Sequence, residues 1–441
     1  MNLIHGKRMN AEQSKRELAQ IGESVLRSLA AGRLARKDVI AACDKLSRKL
    51  SEQEHLALLV SSGMRPELAK TELTAFKSML SRGYLERRVE REFGDWTERT
   101  FQPLDMDRSV RQKWAPLGVL LHISAGNADA LPAYSVIEGL LTENVNILKL
   151  PGDGDELSLR ILEELIGIEP RIAEKVFVFD TPSDDIAAME RLADAADAIV
   201  VWGGDAAVSA VRSMAKPDTR IVEWGHKISF AYVSGDEVSD GELTELARHI
   251  CETNQLLCNS CQGIYVDTDS FEQVTAFAER FYPILERAAE EDPLPDNPFR
   301  AAQATLALYT EELEAVHMKK RVFRGKRCGV VAYGDSALTP SCTARCVWVR
   351  ALPGECILQT LKPYKNHLQT AALVCGKGEI RKFEEALVAA GAVRIVSVGG
   401  ISAHYCGMPH DGEFALRRYM RIVSCEYEGA DGTGDRSNET K

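Results

Sequence analysis

One cysteine in this sequence lies in a setting that suits nucleophilic chemistry. The stretch from Asn254 to Gln262 joins the end of an amphipathic helical pattern to a short apolar run that begins at Gly263, so Cys258 falls where a helix meets a strand. A thiol in a polar loop, among amides and backbone N–H groups, ionises more easily than one in an apolar core, and its thiolate attacks a carbonyl carbon. The pattern favours a nucleophilic role for Cys258, while the alternative for a lone cysteine is ordinary packing.

The same place also allows a metal site. Cys258 and Cys261 form a C-x-x-C pair, and Cys342 with Cys346 could supply the second half of a zinc or redox site. The second pair has looser spacing, and no histidine close by in the sequence completes a tetrahedral set. A non-catalytic protein with a structural zinc site therefore stays open as an alternative of another class.

The composition indicates a globular protein with more than one domain. The chain has 441 residues, of which 45% are hydrophobic, enough for a large core divided between domains. Its net charge of −11 argues against a nucleic-acid surface. The start of the sequence lacks an apolar signal region and no later segment offers about 18 uninterrupted apolar residues, so we expect a cytoplasmic protein without a membrane span. We expect the eleven cysteines to be reduced thiols.

The elements that must position Cys258 show two kinds of sequence pattern. From Ala11 to about Gly94 the apolar residues recur at helical spacing, and Pro66 opens one of these helices. After Trp96, apolar runs typical of strands alternate with helical patterns, as a parallel sheet covered on both faces requires. The sequence therefore predicts an N-terminal helical segment followed by an α/β fold.

A turn with two glycines follows one of the predicted strands. Gly203 and Gly204 lie between the apolar run that ends at Trp202 and a helical pattern that begins near Asp205. Such a turn can bring backbone N–H groups and a helix N-terminus to a phosphate. It is not a G-x-G-x-x-G, so a plain tight turn between strand and helix is the alternative.

Three stretches, in this order, resemble the acyl-CoA reductases typified by the bacterial-luminescence fatty-acid reductase, a branch of the aldehyde dehydrogenase superfamily. They are Ile123–Asn127, Val201–Asp205 and Asn254–Gln262, and His410–Gly412 is similar to the closing motif of that family. The likeness runs from about residue 114 to residue 423. The sequence departs from the family at Cys261, where proline is usual, and this second thiol is expected to favour oxidation or disulfide formation.

The resemblance implies an aldehyde dehydrogenase-like α/β fold with a parallel-sheet nucleotide-binding domain, an α/β catalytic domain and an N-terminal helical segment. It divides the chain into five parts, which are a helical segment (1–100), an NAD(P)-binding Rossmann-like domain (101–250), a catalytic domain with the cysteine nucleophile (251–405), a C-terminal return segment (406–428) and a tail expected to be disordered (429–441).

The resemblance also implies a reaction. The Cys258 thiolate would attack an acyl-CoA or other acyl thioester, and the Asn127 side-chain amide together with the Cys258 backbone N–H would hold the oxygen that becomes negative. Reduction by a nicotinamide would then release the aldehyde. Glu223 stands where hydrolytic aldehyde dehydrogenases carry their general base, so an enzyme that produces the acid is the second hypothesis; a paired structural carboxylate is the other interpretation of Glu223.

For the cofactor, the resemblance assigns a pyrophosphate to the Gly203–Gly204 turn and the adenosine ribose to Lys149. Ser124 and Gly126 belong to the same expected cofactor site. The superfamily position at which an acidic residue favours NAD is Gly152 here, which favours NADPH; NADH stays possible because Asp153 is adjacent. The family further implies a homo-oligomer, and a partner protein that donates the acyl group is conceivable.

Overall fold

The computed structural model describes residues 2–61, 64, 66–94, 102–103, 110–124, 130–151, 155–235, 238–292 and 298–426. The chain forms two compact units, one from Met1–Trp224 together with Cys406–Lys441 and the other from Gly225–Tyr405. The first unit is therefore discontinuous in sequence.

The first unit begins with a hairpin and six helices. The helices occupy the stretch in which the sequence predicts them, and Pro66 is the first residue of α5 as expected for proline at a helix start. The hairpin was not predicted; its strands are three residues each. The elements are β1 (Asn2–Ile4), β2 (Lys7–Met9), α1 (Ala11–Ala19), α2 (Ile21–Ala30), α3 (Arg36–Lys49), α4 (Glu52–Ser61), α5 (Pro66–Leu80) and α6 (Arg82–Phe93).

A seven-stranded sheet forms the centre of this unit, in the order β2-β1-β7-β6-β5-β8-β9. The strands from β5 to β9 are parallel, and β1 and β2 extend one edge in antiparallel fashion. The elements are β5 (Val119–Ile123), α7 (Leu131–Leu141), β6 (Val145–Lys149), α8 (Glu156–Ile168), β7 (Val176–Phe179), α9 (Ile186–Asp194), β8 (Ala198–Trp202), α10 (Asp205–Met214) and β9 (Arg220–Trp224).

The strand order reverses at β5. The chain proceeds from β5 to β6 and β7 on one side, and then returns to place β8 on the other side of β5. In doubly wound sheets, ligands bind outside the carboxyl ends of the strands at such a switch point. The residues that follow β5 and β8 are therefore the ones to consider for a nucleotide.

A small antiparallel sheet joins the C-terminal return to this unit. Its order is β17-β4-β3, from β3 (Gln102–Pro103), β4 (Val110–Pro116) and β17 (Met420–Glu426), and α16 (Ala415–Arg418) leads into β17. Strands β4 and β17 pair over seven residues.

The second unit contains another seven-stranded sheet, in the order β12-β13-β14-β11-β10-β15-β16. All of its strands are parallel except β12, which pairs antiparallel at one edge. The elements are β10 (Ile228–Val233), α11 (Asp240–Thr253), β11 (Cys261–Val266), α12 (Phe271–Glu291), α13 (Pro298–Glu314), β12 (Lys320–Arg324), β13 (Gly329–Tyr333), β14 (Cys346–Ala351), α14 (Ile357–Leu361), β15 (Leu368–Val374), α15 (Ile380–Ala390) and β16 (Arg394–Ser397).

The boundary between the two units differs from the predicted one. It falls after Trp224, earlier than the predicted 250/251, because β10 pairs with β11 on one side and with β15 on the other and so belongs to the second sheet. The chain returns to the first unit at Cys406.

Both sheets contain strands that are buried along their whole length. Every residue of β6, β7 and β10 is buried, as expected for parallel strands covered on both faces. No helix in the described ranges is both long and apolar enough to span a membrane.

Candidate active site

The Cys258 turn, residues 254–260, connects α11 to β11 at the amino-terminal edge of the second sheet. Helix α11 ends at Thr253, and Asn254 and Gln255 then have left-handed backbone with φ of 48° and 60°. Two such residues in succession reverse the direction of the chain. Neither is glycine, and each left-handed residue costs about 1 kcal/mol or more, so neighbouring groups must stabilise this conformation.

Those neighbours come from two segments of the same unit. The buried Arg345 donates from Nε to Asn254 Oδ1 at 2.9 Å, and the Ala344 N–H donates to the Asn254 carbonyl at 3.2 Å. The Gln255 side-chain amide donates to the Cys261 carbonyl at 3.1 Å. The start of the turn is thus fixed on both sides.

Gln262, which follows the turn in sequence, also stabilises it. The Gln262 side-chain amide donates to the Gln255 carbonyl at 3.1 Å, and its Oε1 accepts from the N–H and the hydroxyl of Ser341 at 3.1 and 2.7 Å. The two glutamines that flank Cys258 therefore hold the turn together.

Cys258 itself is exposed, and its backbone is fixed by a serine on the neighbouring strand. The Ser229 hydroxyl donates to the Cys258 carbonyl at 2.8 Å and accepts from the Thr370 N–H at 3.1 Å. Ser229 lies at a register shift of β10, where the hydroxyl replaces regular ladder bonds. The Ser260 hydroxyl accepts from the Leu257 N–H at 2.9 Å. The result is an exposed thiol on a rigid turn.

Cys261 does not behave as the sequence suggested. It is buried, its Sγ lies 3.3 Å from the Gly263 carbonyl, and burial raises the pKa of this thiol to about 12. A thiol that stays protonated at neutral pH is a poor nucleophile. The expectation that Cys261 favours oxidation is therefore wrong, because the residue points into the core.

The zinc alternative also loses its basis. Cys342 is exposed while Cys261 and Cys346 are buried, and all eleven cysteines lie within the described residues as thiols. Among the described residues, no group of three or more Cys, His, Asp or Glu side chains is placed to hold a metal ion.

In the first unit, three of the predicted cofactor residues lie at the carboxyl edge of the sheet. Ser124 follows β5, and its buried hydroxyl has no hydrogen-bond partner among the described residues. Gly203 and Gly204 follow β8, and Gly204 starts α10 without a side-chain cap. A Cβ at Gly203 would lie 3.0 Å from that of Ala207, whereas Gly204 faces open space. Unpaired donors at a switch point suit phosphate oxygens.

Lys149 ends β6, next to β5 at the same edge of the sheet. Its ammonium donates to the Ser183 hydroxyl at 2.7 Å. Burial lowers the pKa of Lys149, and the charge of Asp180 raises it. The structure therefore brings Ser124, Lys149 and the glycine turn to one edge, on adjacent strands.

Glu223 lies in β9, beside β8, and is already paired. Both of its carboxylate oxygens accept from Arg212 of α10, at 2.6 Å from Nε and 2.9 Å from Nη2. A bidentate pair of this kind fixes the position of the carboxylate. This geometry supports the interpretation of Glu223 as a structural carboxylate, and its role as a general base stays a prediction.

Two motifs of the resemblance meet within the first unit. The ring of His410 lies 5.1 Å from that of Trp202 and 4.8 Å from that of Trp224, measured between centroids. His410 is followed by Asp411 and Gly412 in left-handed conformations, which make a turn against the β8–α10 region. His410 therefore packs against two tryptophans, which is a structural role.

Asn127 and Gly126, as well as Gly152 and Asp153, lie outside the described residues, so their predicted roles stay predictions.

Sequence reasoning missed Ser229, Arg345 and Arg394, which surround the Cys258 turn. The signal for Ser229 was a single serine within the apolar run Ile228–Val233. Arg345 and Arg394 have no local signal, because their partners are far away in sequence.

Comparison with solved structures identifies the fold. Lactaldehyde dehydrogenase from Escherichia coli superposes with a TM-score of 0.68 and 15% identity, over 96% of this chain and 92% of that one. The protein has an aldehyde dehydrogenase-like fold, and the predicted fold class is confirmed.

Comparison with known sequences identifies the family. The chain is 25% identical over 323 residues to a long-chain acyl-protein thioester reductase from Aliivibrio fischeri, covering 71% of this chain and 65% of the relative. It is 25% identical over 376 residues to the protein of the same name from Photorhabdus luminescens, covering 82% and 75%. The model of the family Acyl-CoA reductase (LuxC) matches residues 34–422. The chain belongs to this family of oxidoreductases, as the resemblance predicted.

Proposed function

We propose that this protein reduces an acyl thioester to the aldehyde while Cys258 carries the acyl group. The observation that supports this most directly is the exposed Cys258 thiol on a turn whose backbone is held by Ser229. A nucleophile must be accessible and held in place, and an exposed thiol on a hydrogen-bonded turn supports this role. The names of the relatives agree with a thioester substrate.

The first step is exchange of one thioester for another. The Cys258 thiolate attacks the carbonyl carbon, a new C–S bond forms, the original C–S bond breaks, and the carrier leaves as a thiol after taking up a proton. The oxygen that becomes negative needs N–H donors, each worth about 3 kcal/mol. The Cys258 backbone N–H is one candidate, and the Asn127 amide is the other on the strength of the resemblance.

The second step returns Cys258 to its thiol form. A bound nicotinamide dinucleotide would supply the hydride that reduces the acyl group. With a proton from solvent, this would leave a thiohemiacetal on Cys258; its C–S bond would then break, the hydroxyl proton would pass to the sulfur, and the aldehyde would leave. Ser124, the uncapped start of α10 and Lys149 have the donors and the positive charge that fit a nucleotide.

For the cofactor we propose NADPH, with NADH as a weaker alternative. Lys149 carries the positive charge that a 2′-phosphate needs, and Gly152 carries no carboxylate to repel it. For the carrier, we propose acyl-CoA or an acyl group on a protein thiol, as in the names of the relatives. The cytoplasmic location, the homo-oligomer and an acyl-donating partner remain part of the proposal.

The test is NADPH oxidation with acyl-CoA thioesters from short to long chain, and with the same acyl chains on an acyl carrier protein. We expect wild type and Cys342→Ala to turn over and Cys258→Ala to be inactive; Cys342 is the matched control because its thiol is also exposed. Equal activity of Cys258→Ala and wild type would overturn the proposal.

The same proteins distinguish thioester reduction from the hydrolytic alternative. If no thioester is reduced but aldehydes are oxidised to acids, and if Glu223→Gln abolishes that oxidation, Glu223 is a general base and the reductase proposal fails. The Arg212 pair leads us to expect thioester reduction to survive in Glu223→Gln.

A further inference from the structure

One segment of the second unit is joined to the Cys258 turn by side-chain hydrogen bonds. It follows β16 and comprises residues 398–403, which we call the support segment. The Asn259 side-chain amide donates to the Ile401 carbonyl at 3.4 Å, so the residue next to Cys258 is bound to this segment. A second link runs through His249 of α11, whose Nδ1 lies 2.8 Å from the Ser402 hydroxyl.

His249 is a neutral link in this arrangement. Its Nε2 accepts from the Cys261 N–H at 3.2 Å, which leaves the proton on Nδ1 for Ser402. Burial lowers the pKa of His249 to about 4, and the charge of Arg394 lowers it as well. Both ring nitrogens are occupied, so His249 provides neither a base nor a positive charge for Cys258 at neutral pH.

Arg394, the first residue of β16, is the cation of this region. Its guanidinium donates to three carbonyls of the support segment: Nη1 to Ile401 at 2.8 Å, and Nη2 to Gly400 and Ala403 at 2.7 Å each. Ile401 thus accepts from Arg394 and from Asn259 at one oxygen. Carbonyls hold the guanidinium in place without neutralising it, and no carboxylate among the described residues forms an ion pair with Arg394.

Other ionisable groups lie near the support segment. Burial lowers the pKa of Arg394, and the charges of Tyr405 and Cys258 raise it. Arg394 Nη1 and the Asn259 side-chain amide share the Ile401 carbonyl, so the guanidinium lies close to the residue that follows Cys258. A positive charge at this place favours a thiolate on Cys258. The carboxylate of Glu245 in α11 also lies near the segment, with its Oε2 3.0 Å from where a Cβ of Gly399 would be.

We propose that Arg394 is a positioning residue that holds a fixed positive charge at the base of the Cys258 turn, through the carbonyl it shares with Asn259, and so favours the thiolate form of Cys258. The assignment deepens the proposed function, because a thiolate is the form that attacks a thioester. The guanidinium acts through Cys258 and through the support segment, and does not need to contact the acyl group.

The test is the rate at which iodoacetamide alkylates Cys258, followed by mass spectrometry of the peptide that contains it, across a series of pH values. In Arg394→Gln we expect the midpoint of the alkylation profile to rise by about one pH unit or more, and alkylation at neutral pH to slow by about tenfold. Arg394→Lys keeps a charge and should retain most of the wild-type midpoint. Arg381→Gln, an exposed arginine on α15, is the matched control and should leave the midpoint unchanged.

Two outcomes would overturn the assignment. One is an unchanged midpoint in Arg394→Gln with a native circular dichroism spectrum; the other is an equal shift in Arg394→Lys and Arg394→Gln, which would mean that only the geometry of the segment matters. The alkylation assay needs neither cofactor nor thioester, so its result does not depend on the result of the reductase assay. A shifted midpoint in a protein that reduces no thioester would reject the proposed function and keep the role of Arg394.

Discussion

A nucleophile needs a fixed backbone as much as a reactive atom, and Ser229 supplies that for Cys258. Its hydroxyl donates to the Cys258 carbonyl at 2.8 Å and accepts from the Thr370 N–H at 3.1 Å. Ser229 is buried, so water does not easily replace the hydroxyl. Removal of the hydroxyl takes one donor from the Cys258 carbonyl and one acceptor from the Thr370 N–H.

We therefore predict that Ser229→Ala lowers kcat by about tenfold to a hundredfold while KM for the thioester changes little, since the turn shifts but the binding surface remains. The stability should fall by about 1–3 kcal/mol. Ser229→Thr keeps the donor and should recover most of kcat. Steady-state kinetics and urea unfolding check both values; a loss of activity shared equally by Ala and Thr would show that the hydroxyl is not the cause.

Lys149 allows a prediction about the cofactor. A charged hydrogen bond to a phosphate is worth about 1.5–3 kcal/mol, and NADH lacks the 2′-phosphate that distinguishes NADPH. We expect Lys149→Met to weaken NADPH binding by about tenfold or more and to change NADH binding much less. Titration followed by tryptophan fluorescence measures both constants without turnover. Equal weakening of the two cofactors would remove Lys149 from the 2′-phosphate site.

At the scale of the elements, Arg345 joins the ends of two helices to the Cys258 turn. Its guanidinium is fully buried and donates to the Cys251 carbonyl near the end of α11 at 3.1 Å, to the Ala289 carbonyl near the end of α12 at 3.3 Å, and to Asn254. Helix C-termini present unsatisfied carbonyls and negative partial charge, so a cation is favourable there. One side chain therefore aligns α11, α12 and the turn.

We predict that Arg345→Met destabilises the protein by about 3 kcal/mol, because several buried carbonyls and the Asp292 carboxylate lose their donor. The backbone of Arg345 is left-handed, with φ of 68°, in both proteins, so backbone strain cancels in the comparison. Arg381→Met on the exposed face of α15 should change stability by less than about 0.5 kcal/mol. Denaturant unfolding compares the three proteins, and similar midpoints for both variants would contradict the role of Arg345.

The elements also show what the sequence can and cannot predict. The alternation of strands and helices, the position of Cys258 between a helix and a strand, and the turn at Gly203–Gly204 follow from local periodicity and turn residues. The pairing of β1 with β7 and the assignment of β10 to the second sheet depend on which strands meet, which local patterns do not contain. The same holds for the partners of Cys258, since Ser229 and Arg394 are distant from it in sequence and near it only through the sheet.

For the whole molecule, the discontinuous first unit depends on how its C-terminal part is held. A buried cluster on α6 and α7 does this: Arg88 donates to Glu92 at 3.1 Å and also to Glu138, while the Leu416 N–H donates to Glu92 at 2.8 Å. The Tyr419 hydroxyl donates to Glu138 at 3.3 Å. Two carboxylates therefore share one guanidinium in the core and bind the return segment.

This cluster makes stability depend on pH in a direction that can be derived. Burial raises the pKa of Glu92 above its ordinary value of 4.5, the charge of Arg88 lowers it, and the charge of Glu138 raises it further, with a net increase. Between 4.5 and the raised value, the folded protein binds the Glu92 proton more tightly than the unfolded chain does. The contribution of Glu92 to the free energy of unfolding is therefore fully present below 4.5 and decreases as pH rises through the folded pKa.

We predict that the difference in unfolding free energy between wild type and Glu92→Gln shifts against the wild type as pH rises above 4.5, because glutamine does not titrate. Urea unfolding of both proteins at a series of pH values measures this difference and cancels the other carboxylates. Glu12→Gln, exposed on α1 in an ion pair with Arg16, is the control and should give a difference that varies little with pH. A difference for Glu92→Gln that stays constant would mean that folding does not raise the Glu92 pKa, and one that moves in favour of the wild type would mean that Arg88 outweighs burial.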